Sequence, residues 1–371
     1  MTRPETADNV QSPSTDERKK LLEALRRSVP ITRMTDYGVP LGDALRVHLD
    51  SQAEASPSWD VLCERVAATH LEMASDASRF CHPLTAQLNW RAAASLLQCA
   101  QLAFNHDTKR KIELYAASRS AMGKYASTTS SVSELVVPTA KGALYGWIVR
   151  PASGTPQAAV LILGGLSGWG SVYLDMAQAL ASRGILAILG EGPGQGFSRM
   201  RSGLRLDIDT LPLFSRLIDA ASLECGNQVG VWGNSFGGLF AAHLAASDMR
   251  VKAVCINGAP TAPEVPAFRT AREQMQALFG VNEAALRETL ARISMHPGKH
   301  EISADMLVVE GGKDSLVPLG AQGAFLELGL RSRSRLLTWA DGEHTIYNHA
   351  AHRNAQIADW FQDCLLPHPP C

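Results

Sequence analysis

The stretch Gln228-Val-Gly-Val-Trp-Gly-Asn-Ser-Phe-Gly-Gly-Leu-Phe240 decides the fold predicted for this chain. An apolar run typical of a short buried strand leads into Gly233-Asn-Ser-Phe-Gly237, and a helix-forming segment follows through Ala242. This is the G-x-S-x-G pattern in the strand–turn–helix context that presents a serine on a strained turn. The pattern predicts Ser235 as a nucleophile, and the start of the following helix favours negative charge beside it.

The pentapeptide alone is a weak signal, because a glycine-rich turn between a strand and a helix occurs in many α/β proteins. Two further strand ends decide against that simpler interpretation. The strand-like segment 302–309 leads into Gly-Gly-Lys-Asp314, and the strand-like segment 334–339 leads into Asp-Gly-Glu-His344. The chain order Ser, Asp, His, with each residue after a strand, is the order of an α/β-hydrolase.

These three residues predict a catalytic triad for acyl transfer. Ser235 would be the nucleophile, and His344 would take its proton and later deliver it to the leaving group. Asp314 would fix the tautomer of the imidazole and stabilise the imidazolium. Asp314 directly follows a strand, which favours it as the acid, but Asp341 and Glu343 remain alternatives.

Two backbone N–H groups are expected to bind the oxyanion of the tetrahedral intermediate. One belongs to Phe236, at the start of the helix. The other belongs to Gly165 or Leu166, in the glycine-rich loop after the apolar run 158–163. Four further residues are predicted to contact the substrate: Ser167, Trp169, Phe268 and Met275.

Composition and charge predict a soluble globular protein. The chain has 371 residues, 46% hydrophobic and 19% charged, with a formal net charge of −1, so it shows no sign of binding nucleic acid. The polar N-terminus lacks the apolar segment of a signal peptide, and no apolar run is long enough to span a bilayer. Seven cysteines without framework spacing predict reduced thiols and a cytoplasmic location.

Neither a cofactor nor a metal ion is predicted. The segment Gly192-Pro-Gly-Gln-Gly196 lacks the spacing of a dinucleotide fingerprint and indicates a tight loop lining the cleft. His296 and His300 could suggest a metal-binding pair, but no third ligand motif is near them in the sequence, so a solvated loop is favoured.

The hydrophobic pattern divides the chain into three parts. Residues 1–17 are polar and predict a disordered tail. Residues 18–130 carry apolar positions three and four apart and predict a helical, cap-like N-terminal domain. Residues 131–371 alternate strands with helices and predict an α/β core, a mostly parallel sheet with helices on both faces. The long connection 261–300 predicts a cap insertion that can cover the site.

The motifs together resemble a subfamily of α/β-hydrolases typified by 2,6-dihydroxypseudooxynicotine hydrolase. Polyketide-shortening hydrolases and the fermentation–respiration switch protein are relatives within it. The resemblance is clearest over 158–260 and rests on Leu163-Gly-Gly-Leu166, Gly192-Pro-Gly-Gln-Gly196 and Gly233-Asn-Ser-Phe-Gly-Gly238. It implies an N-terminal helical domain that packs against the core, helps to close the active site and supports a homodimer.

Two positions depart from the pattern of this subfamily. Its carbon–carbon hydrolase has a catalytic glutamate just after Gly-Gly-Leu, where this chain has Ser167. Glu191 stands where the group usually has aspartate before Gly-Pro-Gly. A serine cannot shuttle protons as a glutamate does, so carbon–carbon cleavage of the nicotine-pathway type is put in doubt.

We therefore expect a serine hydrolase that cleaves an ester, thioester or other acyl bond of a medium-sized metabolite. Hydrolysis of a carbon–carbon bond in a β-diketone or polyketide-type substrate, and acyl transfer to an alcohol, are alternatives because the same triad serves all three reactions. A non-catalytic regulatory binding protein on the same scaffold is a third class, and an intact triad argues against it.

Overall fold

The computed structural model describes residues 15–367, and the strands within them form one eight-stranded sheet. The strands are β1 (Val132–Thr139), β2 (Gly142–Val149), β3 (Ala158–Leu163), β4 (Ile185–Glu191), β5 (Val229–Asn234), β6 (Val251–Asn257), β7 (Asp305–Gly311) and β8 (Ser334–Trp339). Every residue of β3, β4 and β5 is buried. Their continuous apolar sequences are typical of strands covered on both faces.

The strand order is β1-β2-β4-β3-β5-β6-β7-β8. Only the β1–β2 and β2–β4 pairs are antiparallel, and all pairs from β4 to β8 are parallel. The mostly parallel sheet predicted from the sequence is confirmed. Because parallel strands end at the same edge of a sheet, the loops after β3, β5, β6, β7 and β8 meet there, and these loops carry the candidate site residues.

Six helices precede the sheet and are called here the helical region. They are α1 (Thr15–Ser28), α2 (Ile31–Asp36), α3 (Leu41–Asp50), α4 (Trp59–Arg79), α5 (Pro83–Gln101) and α6 (Lys109–Ser127). Every residue of α5 from Ala92 to Gln101 is buried, and most of them are alanines and leucines, whereas Leu84 and Leu88 in its first turns are exposed. Thr108 begins α6 as an N-cap, with its Oγ1 accepting from Lys111 N at 3.2 Å.

Seven helices accompany the strands and cover both faces of the sheet. They are α7 (Leu174–Ala181), α8 (Gly196–Met200), α9 (Ser215–Cys225), α10 (Gly237–Ser247), α11 (Arg269–Phe279), α12 (Glu283–Ile293) and α13 (Ala350–Leu365). Helices α7 and α13 share one apolar layer with the helical region, whereas α9 to α12 form the layer on the other face. Among residues 15–367, no helix combines the length and the apolar character needed to cross a membrane.

Two expectations about local structure need correction. Helix α1 begins at Thr15, so residues 15–17 are helical rather than part of a disordered tail, and the acidic Asp16 in the first turn suits the helix dipole. The rest of the predicted tail, 1–14, lies outside the described residues. The sequence predicts a strand over 302–309, but β7 begins only at Asp305. Ile302 lies outside the sheet because its N–H donates to Leu328 O at 2.8 Å.

A buried ion pair joins the helical region to the sheet. Asp36, the last residue of α2, receives two hydrogen bonds from the Arg353 guanidinium of α13, at 2.6 and 3.1 Å. The two side chains are 2% and 0% exposed. Further ion pairs across the same boundary join Arg91 to Asp175 and Arg119 to Glu191. The helical region is therefore attached to the sheet by charge pairing as well as by apolar packing.

Replacing Asp36 by asparagine is expected to lower the free energy of unfolding by about 3–5 kcal/mol, because it leaves a buried arginine without its counter-charge. The matched control is Asp50→Asn, at an exposed ion pair with Arg46 within α3, which should change the free energy of unfolding by less than about 0.5 kcal/mol. Urea denaturation followed by circular dichroism measures both changes. Equal stability of the two variants would show that the buried pair does not hold the helical region in place.

Candidate active site

Ser235 lies in the turn between β5 and α10 with a backbone φ of 54°. This left-handed conformation is strained for a residue with a side chain. The turn is possible because of the glycines on either side: a Cβ on Gly233 would lie 2.2 Å from Gly237 O, and one on Gly237 would lie 2.4 Å from Gly164 O. Ser235 N donates to Asn257 O at 2.7 Å, which ties the turn to the end of β6.

His344 lies between Ser235 and Asp314. Its Nε2 is 2.8 Å from Ser235 Oγ, and its Nδ1 is 2.8 Å from Asp314 Oδ2. The other carboxylate oxygen of Asp314 accepts from the backbone N–H groups of Leu316 and Val317 at 2.8 and 3.0 Å. Because the carboxylate can only accept from Nδ1–H, the neutral imidazole has its Nε2 lone pair directed at the serine hydroxyl.

The two alternative acids are engaged elsewhere. Asp341 is exposed and contacts His349 Nε2 at 3.0 Å, and this hydrogen bond lowers the pKa of the Asp341 carboxyl. Glu343 accepts from Thr32 Oγ1 of α2 at 2.6 Å. Of the three carboxylates considered from the sequence, the structure therefore brings only Asp314 to the His344 imidazole.

The residues after His344 have an unusual backbone. Thr345 and Ile346 have φ values of 51° and 63°, so two consecutive β-branched residues adopt the left-handed conformation. Thr345 O accepts from Arg353 Nη1 at 2.8 Å and from Asn257 Nδ2 at 3.1 Å. These two donors hold the strained turn, and through Asn257 the same network reaches the backbone of the serine turn.

A small space beside Ser235 is bordered by Gly165 and Phe236, two of the residues predicted to bind an oxyanion. A Cβ on Gly165 would lie 3.0 Å from Ser235 Oγ and 3.1 Å from Phe236 N, so the absence of a side chain at Gly165 keeps this space open. Within residues 15–367, the N–H groups of Phe236, Leu166 and Gly165 donate no hydrogen bond. All three are therefore available to an oxyanion, and the choice between Leu166 and Gly165 stays open.

The loop after β3, residues 164–170, is called here the oxyanion loop. Its backbone carbonyls accept hydrogen bonds from one side chain of the loop itself and from two other segments. The indole N–H of Trp169 donates to Gly165 O at 2.9 Å, and Gln101 Nε2 of α5 donates to Ser167 O at 3.2 Å. Gln195, in the glycine-rich segment after β4, donates to Gly164 O. The glycine-rich segment after β4 is thus hydrogen-bonded to the oxyanion loop.

The four residues predicted to contact substrate have different surroundings. Ser167 is buried, and its Oγ accepts from Arg33 Nη2 at 3.0 Å. Trp169 has no exposed surface and packs edge-on against Tyr115. In the cap insertion, Met275 is buried within the apolar layer of α9 to α12, whereas Phe268 precedes α11 and is 62% exposed.

Helix α2 supplies neighbours of the site that the sequence interpretation missed. Besides Thr32 and Arg33, it is followed by Tyr37, whose hydroxyl would lie 2.1 Å from a Cβ on Gly168 of the oxyanion loop. Arg33 also lies over the Tyr347 ring, 5.8 Å from its centroid, and Tyr347 packs edge-on against His344. No local motif marks these residues, because their contacts are with segments more than a hundred residues away.

The histidine pair considered as metal ligands forms a contact within its own loop. His296 N donates to His300 Nδ1 at 3.1 Å. Across residues 15–367, no group of three or more histidine, cysteine, aspartate or glutamate side chains has the arrangement of a metal site.

Comparisons with known proteins agree with this architecture. Residues 158–287 match the α/β hydrolase fold family. The chain is 27% identical over 299 residues to 2,6-dihydropseudooxynicotine hydrolase of Paenarthrobacter nicotinovorans, an alignment that covers 77% of this chain and 78% of that protein.

Two solved structures extend the likeness beyond the sheet. The crystal structure of 2,6-dihydroxy-pseudo-oxynicotine hydrolase superposes with a TM-score of 0.76 at 24% identity, covering 90% of this chain and 95% of that one. The structure of wild-type AbyA5 gives a TM-score of 0.67 at 18% identity, covering 92% and 99%. By its fold and its relatives, this protein is an enzyme with the α/β-hydrolase fold.

Proposed function

We propose that this enzyme is a serine hydrolase that cleaves an ester, thioester or other acyl bond of a small molecule. The observation that carries the proposal is the His344 imidazole, 2.8 Å from both Ser235 Oγ and Asp314 Oδ2. A hydroxyl, a base and an orienting carboxylate at hydrogen-bond distance form the arrangement that activates a serine for attack on a carbonyl carbon.

The reaction would take place in two halves. Ser235 Oγ attacks the carbonyl carbon while His344 Nε2 takes the hydroxyl proton, and the oxyanion is bound by the N–H group of Phe236 and that of Leu166 or Gly165. Collapse of the tetrahedral intermediate breaks the bond to the leaving group, which receives the proton from His344. Water then attacks the acyl-enzyme while His344 Nε2 takes one of its protons, and collapse of the second tetrahedral intermediate passes that proton to Ser235 Oγ as the acid product leaves.

Asp314 would act through the histidine rather than on the substrate. Its side chain has no exposed surface, and two backbone N–H groups fix one of its oxygens while the other faces His344. This geometry places the proton of the neutral imidazole on Nδ1, so that Nε2 can accept the serine proton, and it stabilises the imidazolium that forms during attack.

Hydrolysis of a carbon–carbon bond in a β-dicarbonyl compound is the second candidate. The likeness to 2,6-dihydropseudooxynicotine hydrolase favours it. Ser167 argues against a mechanism that relies on a carboxylic acid at this position, because its hydroxyl is already bonded to Arg33 and is not acidic. Product analysis by mass spectrometry on matched esters and β-diketones separates the two reactions. A homodimer, expected from the resemblance, remains a prediction.

Replacing Ser235 by alanine is expected to lower kcat by about 10⁴-fold or more, because the nucleophile and the group that His344 activates are both lost. The same change should abolish covalent labelling by a fluorophosphonate probe, measured by intact-protein mass spectrometry. Ser247→Ala, at the exposed end of α10, is the control and should label like the unchanged protein. Retention of a tenth of the activity by Ser235→Ala would remove Ser235 from the mechanism.

Replacing Asp314 by asparagine is expected to lower kcat by about 10³–10⁴-fold, because the amide favours the wrong imidazole tautomer. The matched change Asp341→Asn should lower kcat less than about twofold, since Asp341 contacts His349 on the surface. Steady-state kinetics on one activated ester compares the two variants. A larger loss in Asp341→Asn would transfer the role of the acid to that residue.

Replacing Gly165 by alanine is expected to lower kcat by about 10²–10³-fold, because the new methyl group would occupy the space of the oxyanion. Gly123→Ala is the control: it lies in α6, and no atom beyond its own stretch of helix lies within 4 Å of the added carbon, so activity should be unchanged. Kinetics and melting temperatures of both variants are compared. Full activity of Gly165→Ala would place the oxyanion elsewhere.

A further inference from the structure

Arg33 is a cation beside the candidate active site. Its guanidinium donates to Ser167 Oγ at 3.0 Å, to Tyr37 Oη at 2.9 and 3.1 Å and to Ser28 O at 2.8 Å. All of these acceptors are neutral. Within the part of the chain that the structure describes, Arg33 forms no ion pair with a carboxylate.

Other arginines enclosed in the protein are paired with acids. Arg353 binds Asp36 at 2.6 Å, and Arg199 binds Asp107 at 2.9 Å. Arg119 contacts Glu191 at 2.7 Å and also Glu134. A charge withdrawn from water without a counter-charge is unfavourable, which is why enclosed arginines are normally paired. Arg33 is half-buried, so the cost is smaller there than for a fully buried arginine, but it departs from this pattern in lacking a carboxylate partner within residues 15–367.

The tyrosines around Arg33 do not supply the missing negative charge. Burial raises the pKa of Tyr37 and of Tyr173 well above the usual range, so both are neutral phenols near neutral pH. The faces of Tyr37 and Tyr347, with centroids 5.1 and 5.8 Å from the guanidinium carbon, offer only the weaker attraction between a cation and an aromatic ring.

Arg33 lies between the oxyanion loop and the segment that carries His344. On one side it bonds Ser167, two residues after Gly165, which borders the oxyanion space. On the other side it lies over Tyr347, whose ring centroid is 6.1 Å from that of His344. Arg33 is also partly exposed rather than sealed in the core. Arg33 therefore borders both the oxyanion loop and the tyrosine ring that packs against His344.

We propose that Arg33 forms a subsite for a carboxylate of the substrate, so that the preferred substrate is an acyl compound with a second, negatively charged end. Four of the five N–H groups of the guanidinium donate to Ser167, Tyr37 and Ser28, which leaves one Nη1 N–H and the positive charge to attract a carboxylate oxygen. This inference rests on the proposed function, because it assumes that the acyl group is bound at Ser235.

Matched esters test the subsite. The p-nitrophenyl monoesters of succinate, glutarate and adipate carry a carboxylate, and the p-nitrophenyl esters of butanoate, pentanoate and hexanoate are neutral partners of the same chain lengths. The quantity compared is the ratio of kcat/KM for the anionic ester to that for its neutral partner. At the best chain length, Arg33→Gln should lower this ratio by about 10- to 100-fold, as expected for loss of a charged hydrogen bond.

Two controls separate charge recognition from packing. Arg33→Lys keeps the charge and should restore part of the ratio. Arg91→Gln removes an arginine of the helical region that is paired with Asp175, and it should leave the ratio unchanged. A general loss of packing lowers kcat/KM for both esters of a pair and also leaves the ratio unchanged. An unchanged ratio in Arg33→Gln at all three chain lengths overturns the subsite while the proposed hydrolase function stands.

A binding measurement tests the carboxylate subsite at Arg33 independently of turnover. In Ser235→Ala protein, calorimetric titration should show the glutarate monoester binding at least about tenfold more tightly than the pentanoate ester. The double variant Ser235→Ala, Arg33→Gln should lose that preference. Equal affinities in both proteins overturn the subsite. Hydrolysis that survives in Ser235→Ala overturns the proposed function instead, and the binding result still decides the role of Arg33.

Discussion

The buried ion pair between Asp36 and Arg353 holds the turn that carries His344. Arg353 uses part of its guanidinium for Asp36 and part for the carbonyl of Thr345, so one side chain joins α2 to the histidine turn. Thr345 and Ile346 adopt a backbone conformation that costs of order 1–3 kcal/mol for each residue. Such a turn persists only when its surroundings fix it, and the Arg353 contact provides that constraint from within the core.

The helical region is therefore joined to the candidate site itself, in addition to covering one face of the sheet. From α2, Thr32 donates to Glu343, next to the histidine, while Arg33 donates to Ser167 in the oxyanion loop. From α5, Gln101 donates to the backbone of the same loop. If the proposed mechanism holds, helices far upstream in the sequence position both the base and the oxyanion donors, and an isolated sheet region would lack these supports.

The sequence predicted those parts of the candidate site that depend on local backbone geometry. The glycines around Ser235 and the strand directly before Asp314 predicted two turns whose side chains the structure brings to His344. Arg33 and Asp36 could not be found in the same way. Their partners lie 134 and 317 residues away, and an arginine or aspartate on a short amphipathic helix has the same sequence pattern whether it faces solvent or a buried partner.

Two negative charges would meet in this site if the substrate is anionic. The oxyanion beside Phe236 and a substrate carboxylate bound near it would repel each other, because like charges at short range are unfavourable in a site that excludes water. A cation at Arg33 offsets this repulsion when the carboxylate is bound to it. With a neutral substrate the same uncompensated cation instead opposes the imidazolium that forms on His344. The charge of Arg33 thus favours anionic substrates in two ways. Arg33 attracts the substrate carboxylate, and once that carboxylate is bound, the cation no longer opposes formation of the imidazolium on His344.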